Sequence, residues 1–477
     1  MKRKEIMAVY KAGPEAVIKL ISSMLDQIAE LKERIKVLED RLSKNSTNSS
    51  KPPSTDWPTK KRSLRKKSSR SPGGQKGHSG HNLKMVEVPV YTRAHKVSTC
   101  SKCGSCLKDT LPTGNRKRQV FDLPPIKVEV IEHRAEEKIC PHCGHKNKAS
   151  FPVDVSQPTQ YGTCIKAILT YLNQYQLLPY ERTSELFYDL FGIGLSAATI
   201  AGANRVCFEA LKPYEDKIKD KITTSPVVHF DETGLYVDGS RWWLHVASTD
   251  NLTYYAVHPR RGKAATEDID ILPNFYGTAV HDFWNTYFKY KFSHALCNVH
   301  HLWELKAIDE CYSQKWAIDM ADLLLEIKKT VDKKRPVTNK LEQDKIGSFK
   351  ERYDKIIKGG LAENPPAKVR GGPKKRGRKR KSKAKNLLCR LKEHWRETLA
   401  FMYDFEIPLD NSQAERDIRM VKVQQKISDT FRSVNGVKTF CRIRGHISTA
   451  RKNSLSVIDA IQAAFEGNPF IVVPTES

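Results

Sequence analysis

The sequence predicts a multidomain α/β chain, and three observations carry that prediction. Apolar residues recur at steps of three and four from Ile21 to Leu42. Two Cys-x-x-Cys pairs stand at Cys100/Cys103 and Cys140/Cys143. Residues 225–259 alternate as strands do and then give way to helical spacing. The 477 residues leave room for about three domains. Lys and Arg number 82 against 54 acids, a net charge of +28. That excess favours a polyanionic partner, nucleic acid first. No run of 18 apolar residues occurs, and the opening MKRKEIMAVYKAGPE lacks the apolar stretch of a signal peptide. A cytoplasmic protein with no membrane partner is therefore expected. Eleven cysteines, four of them in two close pairs, read as metal binding rather than disulfides.

Residues 15–44 predict a leucine-zipper-like coiled coil. Ile21, Ile28, Ile35 and Leu42 take position a, and Met24, Leu31 and Leu38 take position d. β-Branched a with Leu-like d favours a parallel pair, with Arg34 at g facing Glu39 of a second copy. A homodimer or larger self-assembly is the expected consequence. Residues 45–82 are dominated by Ser, Pro, Gly, Lys and Arg and predict a basic flexible linker.

Residues 83–155 predict a small β-rich module, with strands over VEVPVY and IKVEVIEHRAEEKIC. Cys100, Cys103, Cys140 and Cys143 provide four thiolates for a structural, tetrahedral Zn²⁺. A glycine follows one residue after the second Cys of each pair, where the backbone must turn tightly. Cys106, His142 and His145 are spare donors nearby, and Arg116, Lys117 and Arg118 are candidate DNA contacts. Residues 156–222 predict helices, compatible with plain packing or with helix-turn-helix DNA binding.

From 223 to 455 the order is three antiparallel strands, a helix, a strand ending at Asp282, then helices, with HALCNVHHLWELKAIDE among the helices. That order is the topology of a ribonuclease-H-like catalytic core. Asp231 falls in the first strand, Asp282 ends the fourth, and Glu415 lies on the helix DNSQAERDIRMVKVQQKIS, capped by Asn411 or Ser412. In that topology the three places converge, and three carboxylates there can hold two Mg²⁺ (or Mn²⁺) ions for in-line displacement at phosphate. Arg416, Arg419, Lys422 and Lys426 on the same helix are candidate phosphate contacts. The long interval before Glu415 predicts a helical insertion at about residues 305–400. Within it PKKRGRKRKSKAK, including Arg376, Arg378 and Arg380, predicts a basic loop that clamps DNA. Residues 456–477 are expected to form a C-terminal tail.

Several stretches resemble transposases of the insertion sequence 66 family. They are SPGGQKGHSGH, the two cysteine knuckles, HFDETGLYVDG, LHVASTDNLTYYAVHPRRGK, HALCNVHHLWELKAI, DNSQAERDIRMVKVQQKISDTFRS and FCRIRGHISTARK. The resemblance implies an Asp-Asp-Glu catalytic set, which falls on Asp231, Asp282 and Glu415, together with an N-terminal zipper and a zinc module. Cys297 and His300 match a Cys-x-x-His signature carried by related transposases, with helix packing as their plainer role. Trp303 departs from the family pattern, which leads one to expect Arg there. The resemblance implies Mg²⁺-dependent cleavage and strand transfer at the terminal repeats of a bacterial insertion sequence. The partners it implies are element-end and target double-stranded DNA, and element-encoded accessory proteins, on the nucleoid. A catalytically inactive DNA-binding relic and a structure-selective nuclease are the alternatives.

Overall fold

The computed structural model describes residues 3–43, 83–124, 126–365 and 382–470. The linker expected at 45–82 and the run holding Arg376, Arg378 and Arg380 lie outside them. The chain divides into two compact units, one of Met1–Arg62, Gln157–Leu186 and Gly194–Ser477, the other of Ser63–Ser156 and Phe187–Ile193.

Helix α1 (Arg3–Lys11) stops at Gly13, and α2 (Pro14–Ser43) starts on a proline, whose fixed φ suits a first helical position. In α2 the heptad residues Ile21, Met24, Ile28, Leu31 and Ile35 remain about half exposed in the single chain.

In the cysteine unit the two knuckles share one geometry. Gly104 N–H donates to Cys100 O and Gly144 N–H to Cys140 O, both at 2.9 Å. Cys100 N–H and Cys140 N–H donate in turn to Ser105 O and His145 O. Gly104 and Gly144 adopt φ of 77° and 71°, so the turn each knuckle needs is one that glycine provides without strain. Strand β1 (Glu137–Ile139) pairs antiparallel with β2 (Lys146–Lys148). The longer strands expected here do not form. Residues 86–91 are irregular, and Val88 and Val90 stand exposed. Alternation marks a strand only where an edge is available to pair with, and here Val86 is met only by the side chain of Gln119.

After the cysteine region, α3 (Thr163–Thr170) runs into a π-helical turn (Tyr171–Tyr175), followed by α4 (Tyr180–Phe191), whose residues from Phe187 on count with the smaller unit, and, in the larger unit, by α5 (Ala197–Ala210) and α6 (Lys212–Thr223). The sheet begins with β3 (Val227–Val237), β4 (Ser240–Ser248) and β5 (Thr253–His258), antiparallel neighbours. Asp238 and Gly239, both at positive φ, make the tight turn between the first two. Helix α7 (Lys263–Ile269) crosses to β6 (Thr278–His281), which pairs parallel with β3. A fifth strand, β7 (Ser293–Leu296), pairs parallel with β6 and closes the order β5-β4-β3-β6-β7.

Strand β7 corrects the expectation that HALCNVHHLWELKAIDE is helical throughout. Only the part from Asn298 is helix, as α8 (Asn298–Tyr312). A four-residue strand, buried only at Ala295 and Leu296, has too few residues for its period to show in sequence. Beyond it, α9 (Lys315–Lys334), α10 (Gln343–Glu363), α11 (Lys383–Glu393), α12 (Trp395–Thr398) and α13 (Ala400–Tyr403) form the helical insertion. Met320 and Leu324 of α9, Tyr353 of α10 and Leu388 of α11 share one core with Val280 and Ala295 of the sheet.

The chain ends in α14 (Ser412–Ser428), α15 (Val434–Lys452) and α16 (Val457–Phe465). Helix α15 lies against β5 so closely that a Cβ on Gly445 would stand 3.1 Å from Thr253 O. Ile443 and Ile447 of α15 and Ile461 of α16 are fully buried with Ala167 of α3 and Cys207 of α5. Residues 457–465 are therefore part of a core rather than a tail, because their apolar face has α3 and α5 to cover. The same packing favours the plain reading of α3 and α5 over helix-turn-helix binding.

Candidate active site

Two acids stand side by side through strand register. Each β3 residue pairs with the β6 residue 51 positions later, from Val227↔Thr278 to His229↔Val280. Asp282 follows Asp231 by the same 51 positions. The pairing ends at His229, but the same offset carried two residues on would bring Asp231 level with Asp282, just past the end of β6, and the Asp282 charge does act on Asp231. Backbone amides hold both side chains: Glu232 N–H donates to Asp231 Oδ1 at 2.8 Å, and Trp284 N–H to Asp282 Oδ1 at 2.9 Å.

The third acid arrives on α14, and Asn411 delivers it. Asn411 occupies the N-cap position, yet its side chain caps nothing. Instead Asn411 Nδ2 donates to Phe230 O at 2.8 Å, and Asn411 Oδ1 meets His229 Nδ1 at 2.8 Å. The start of α14 is thereby pinned to the two residues that precede Asp231. Asp410 takes over the turn, its Oδ1 accepting from Ser412 N–H at 2.8 Å. Glu415 sits one turn further on, its N–H directed at Asn411 O.

The acids act on one another electrostatically. Burial first, and then the charges of Glu232, Asp282 and Glu415, push the Asp231 carboxyl well above the usual carboxylate range. None of the strongest influences on Asp231 is a cation. Glu415 is also raised, mainly by burial, with His300 and Arg419 opposing and Asp410 and Asp282 adding to the shift. Its Oε1 is buried without a hydrogen-bond partner. Crowded carboxylates that lack a compensating base are what a hard divalent cation would relieve, since its ligands are oxygens and its charge cancels theirs. Asp231, Asp282 and Glu415 supply the oxygen donors such an ion takes, although among the described residues their carboxylate oxygens do not all gather within 4.8 Å of one another.

Several residues of the site went unread in the sequence. Glu232 is more deeply buried than Asp231 and is held by Arg261, whose Nε donates to Glu232 Oε1 at 3.0 Å, and by Tyr287 Oη at 2.7 Å. The Arg261 guanidinium lies over the rings of Trp243 and Trp284, at 4.9 and 4.7 Å. Glu232 thus carries its own counter-charge, which leaves Asp231 the acid without one. Asp417, two residues past Glu415, turns inward to Lys452 Nζ at 2.9 Å and to Ser248 Oγ at 2.7 Å. The adjacency of Glu232 to Asp231 was a signal available in sequence; the roles of Asn411 and Asp417 had none.

Of the basic residues on α14, Arg416, Arg419 and Lys426 are exposed. Lys422 is half-buried and donates to Gly234 O and to Gln425 Oε1, the latter at 3.1 Å, so its ammonium ties α14 to β3. Among the zinc candidates, Cys103 Sγ lies 3.2 Å from Ser105 Oγ, and the Cys140 thiol is lowered by the backbone amides of His142 and Cys143, against a smaller opposing effect of burial. Cys103 is lowered to about 7, chiefly by the Ser105 hydroxyl, which favours its thiolate. Among the described residues the four sulfurs do not gather as one metal-holding group. Arg116, Lys117 and Arg118 are exposed.

Residues 158–439, more than half of the chain, match the transposase IS66 family. The chain belongs to that family. Residues 98–156 match the zinc-finger binding domain of transposase IS66, which supports structural zinc in the cysteine unit of this transposase. Residues 7–84 match a family of unknown function (DUF6444). No curated protein matches the chain. Among the described residues of the transposase no helix is long and apolar enough to cross a membrane.

Proposed function

We propose that this IS66-family transposase cleaves the ends of its element and joins them to target DNA, with Asp231, Asp282 and Glu415 as its catalytic acids. The proposal is supported by the raised Asp231 carboxyl, to which the charges of Asp282 and Glu415 both contribute, and by the Asn411 side chain that ties the start of the Glu415 helix to Phe230 and His229. The sheet order β5-β4-β3-β6-β7, with three antiparallel strands and then two parallel ones, supports a ribonuclease-H-like core.

Asp231, Asp282 and Glu415 would hold two Mg²⁺ (or Mn²⁺) ions. Bound ions of this kind supply Lewis acidity at a phosphodiester and stabilise charge on the attacking and leaving oxygens. Asn411 keeps Glu415 at the strand ends, and the Glu232–Arg261–Tyr287 group keeps β3 and the segment after β6 in register behind the acids. Exposed Arg416, Arg419 and Lys426 meet the phosphates, which fixes DNA position without reading sequence. Water cleaves one phosphodiester and leaves a 3′-hydroxyl. That hydroxyl attacks a target phosphodiester, forming one P–O bond for each one broken, so no nucleotide cofactor and no covalent protein–DNA intermediate is needed.

The uncovered stripe on α2 supports a parallel coiled coil with a second copy, which would hold two element ends together. The zinc unit and its basic neighbours would contact the terminal repeats. On this reading the protein works on the bacterial nucleoid, with element-encoded accessory proteins as further partners.

The test uses purified transposase, labelled element-end DNA and Mg²⁺, beside Glu415→Gln. Cleavage by the wild type and none by the variant, at equal DNA binding and equal zinc content, is the expected result. Equal cutting by both would remove Glu415 from the set. Binding without cutting by either, even with the element's accessory proteins added, would favour a DNA-binding relic.

A further inference from the structure

Glu415 belongs to a second constellation. Cys297 caps the N-terminus of α8, His300 stands one turn along it, and Glu415 faces both from α14. One donor atom from each lies within 4.8 Å of the other two. His300 Nδ1 and Glu415 Oε1 are 4.0 Å apart, and both are buried without a hydrogen-bond partner. Asn411 N–H donates to Cys297 Sγ at 3.2 Å, the kind of contact that supports a thiolate ligand. Trp303 lies edge-on to the His300 ring, centroids 5.3 Å apart, and limits its swing.

Sulfur, nitrogen and oxygen donors in one cluster do not suit Mg²⁺, which takes oxygen ligands. They do suit Zn²⁺, which accepts all three and in a three-ligand site keeps a fourth position open. Zinc–ligand lengths place tetrahedral donors roughly 3.3–3.6 Å apart, so the cluster needs only a small closure.

We propose that Cys297, His300 and Glu415 form a second Zn²⁺ site, separate from the cysteine knuckles, and that Zn²⁺ there inhibits DNA cleavage by withdrawing Glu415 from the catalytic acids. Binding displaces the Cys297 thiol proton to solvent as the Zn–S bond forms. The inhibitory half rests on the assignment of Glu415 as the third catalytic acid; the binding half does not.

The experiment compares full-length wild type with Cys297→Ser and His300→Ala, each matched by melting curve. Zinc per chain is measured after equilibration with micromolar Zn²⁺ and removal of excess. Both variants are expected to hold one zinc fewer than the wild type; equal content in all three overturns the site. Cleavage of element-end DNA in Mg²⁺ is then read with and without added Zn²⁺, as a ratio within each protein. The wild-type ratio is expected to fall at least tenfold below that of the variants. A lost zinc with an unchanged ratio overturns the competition for Glu415. A Glu415→Gln protein that still cuts overturns the catalytic assignment and leaves the zinc count to decide the site.

Discussion

Replacing Asn411 with alanine tests how the third acid is positioned. Asn411 is 1 % exposed, and its side chain makes two hydrogen bonds of 2.8 Å, to Phe230 O and to His229 Nδ1. Alanine removes both and leaves a buried carbonyl and a buried ring nitrogen without partners. Each such group costs about 1–3 kcal/mol, so the loss is about 2–6 kcal/mol. The denaturation midpoint in urea should drop accordingly with little change in slope. Helix α14 itself should survive, because Asp410 rather than Asn411 receives the Ser412 amide. Its start would no longer be held to β3, however, and a shift of about 1 Å at a reacting group costs on the order of 10²-fold in rate. Mg²⁺-dependent cleavage should therefore fall by about that factor while DNA binding, made by exposed residues, persists. A stability loss below about 1 kcal/mol, or unaltered cleavage, would refute the role assigned to Asn411.

Further predictions concern the charge networks and the zinc unit. The native Asp231 carboxyl is raised by burial and by neighbouring acids, so the native state holds more protons than the unfolded chain once pH exceeds the unfolded value of about 3.9. Metal-free stability should then fall as pH rises toward the native value, and Asp231→Asn should show a shallower fall; parallel melting-temperature curves would contradict this. Buried His245 and His446, lowered to about 4, titrate in the opposite sense but are common to both proteins, so the difference isolates Asp231. Lys452→Met should cost about 3–5 kcal/mol, since it strands buried Asp417 after removing contacts to Ser248, Thr249 and Leu252, whereas joint replacement of Asp417 and Lys452 by apolar residues should recover much of the loss in chemical denaturation. Cys140→Ser should lower bound zinc by one per chain and weaken DNA binding, with the helices of the larger unit retained by circular dichroism; unchanged zinc content would exclude the second knuckle as a ligand.

Much of this transposase is written in local pattern. The heptad of α2, the glycine after each cysteine pair and the alternation along β3, β4 and β5 each depend on residues within a few positions of one another. Even the 51-residue interval between Asp231 and Asp282 is the offset of the β3–β6 register. Sequence by itself therefore determined the family and the elements whose period runs over enough residues to register.

Tertiary structure decided which side chain does what. Glu415 and Asp417 are acids two residues apart on one helix, about 200° around its axis. Only the docking of α14 against β3 and α15 directs the first toward Asp231 and commits the second to Lys452. The same docking diverts Asn411 from capping its helix to holding β3, and places Glu415 against Cys297 and His300. Strand β7 is too short for its period to register, and helix α16, nine residues near the end of the chain, takes its place because α3 and α5 are there to bury its apolar face. Periodicity is a property of a few adjacent residues, whereas these roles depend on partners more than a hundred positions away.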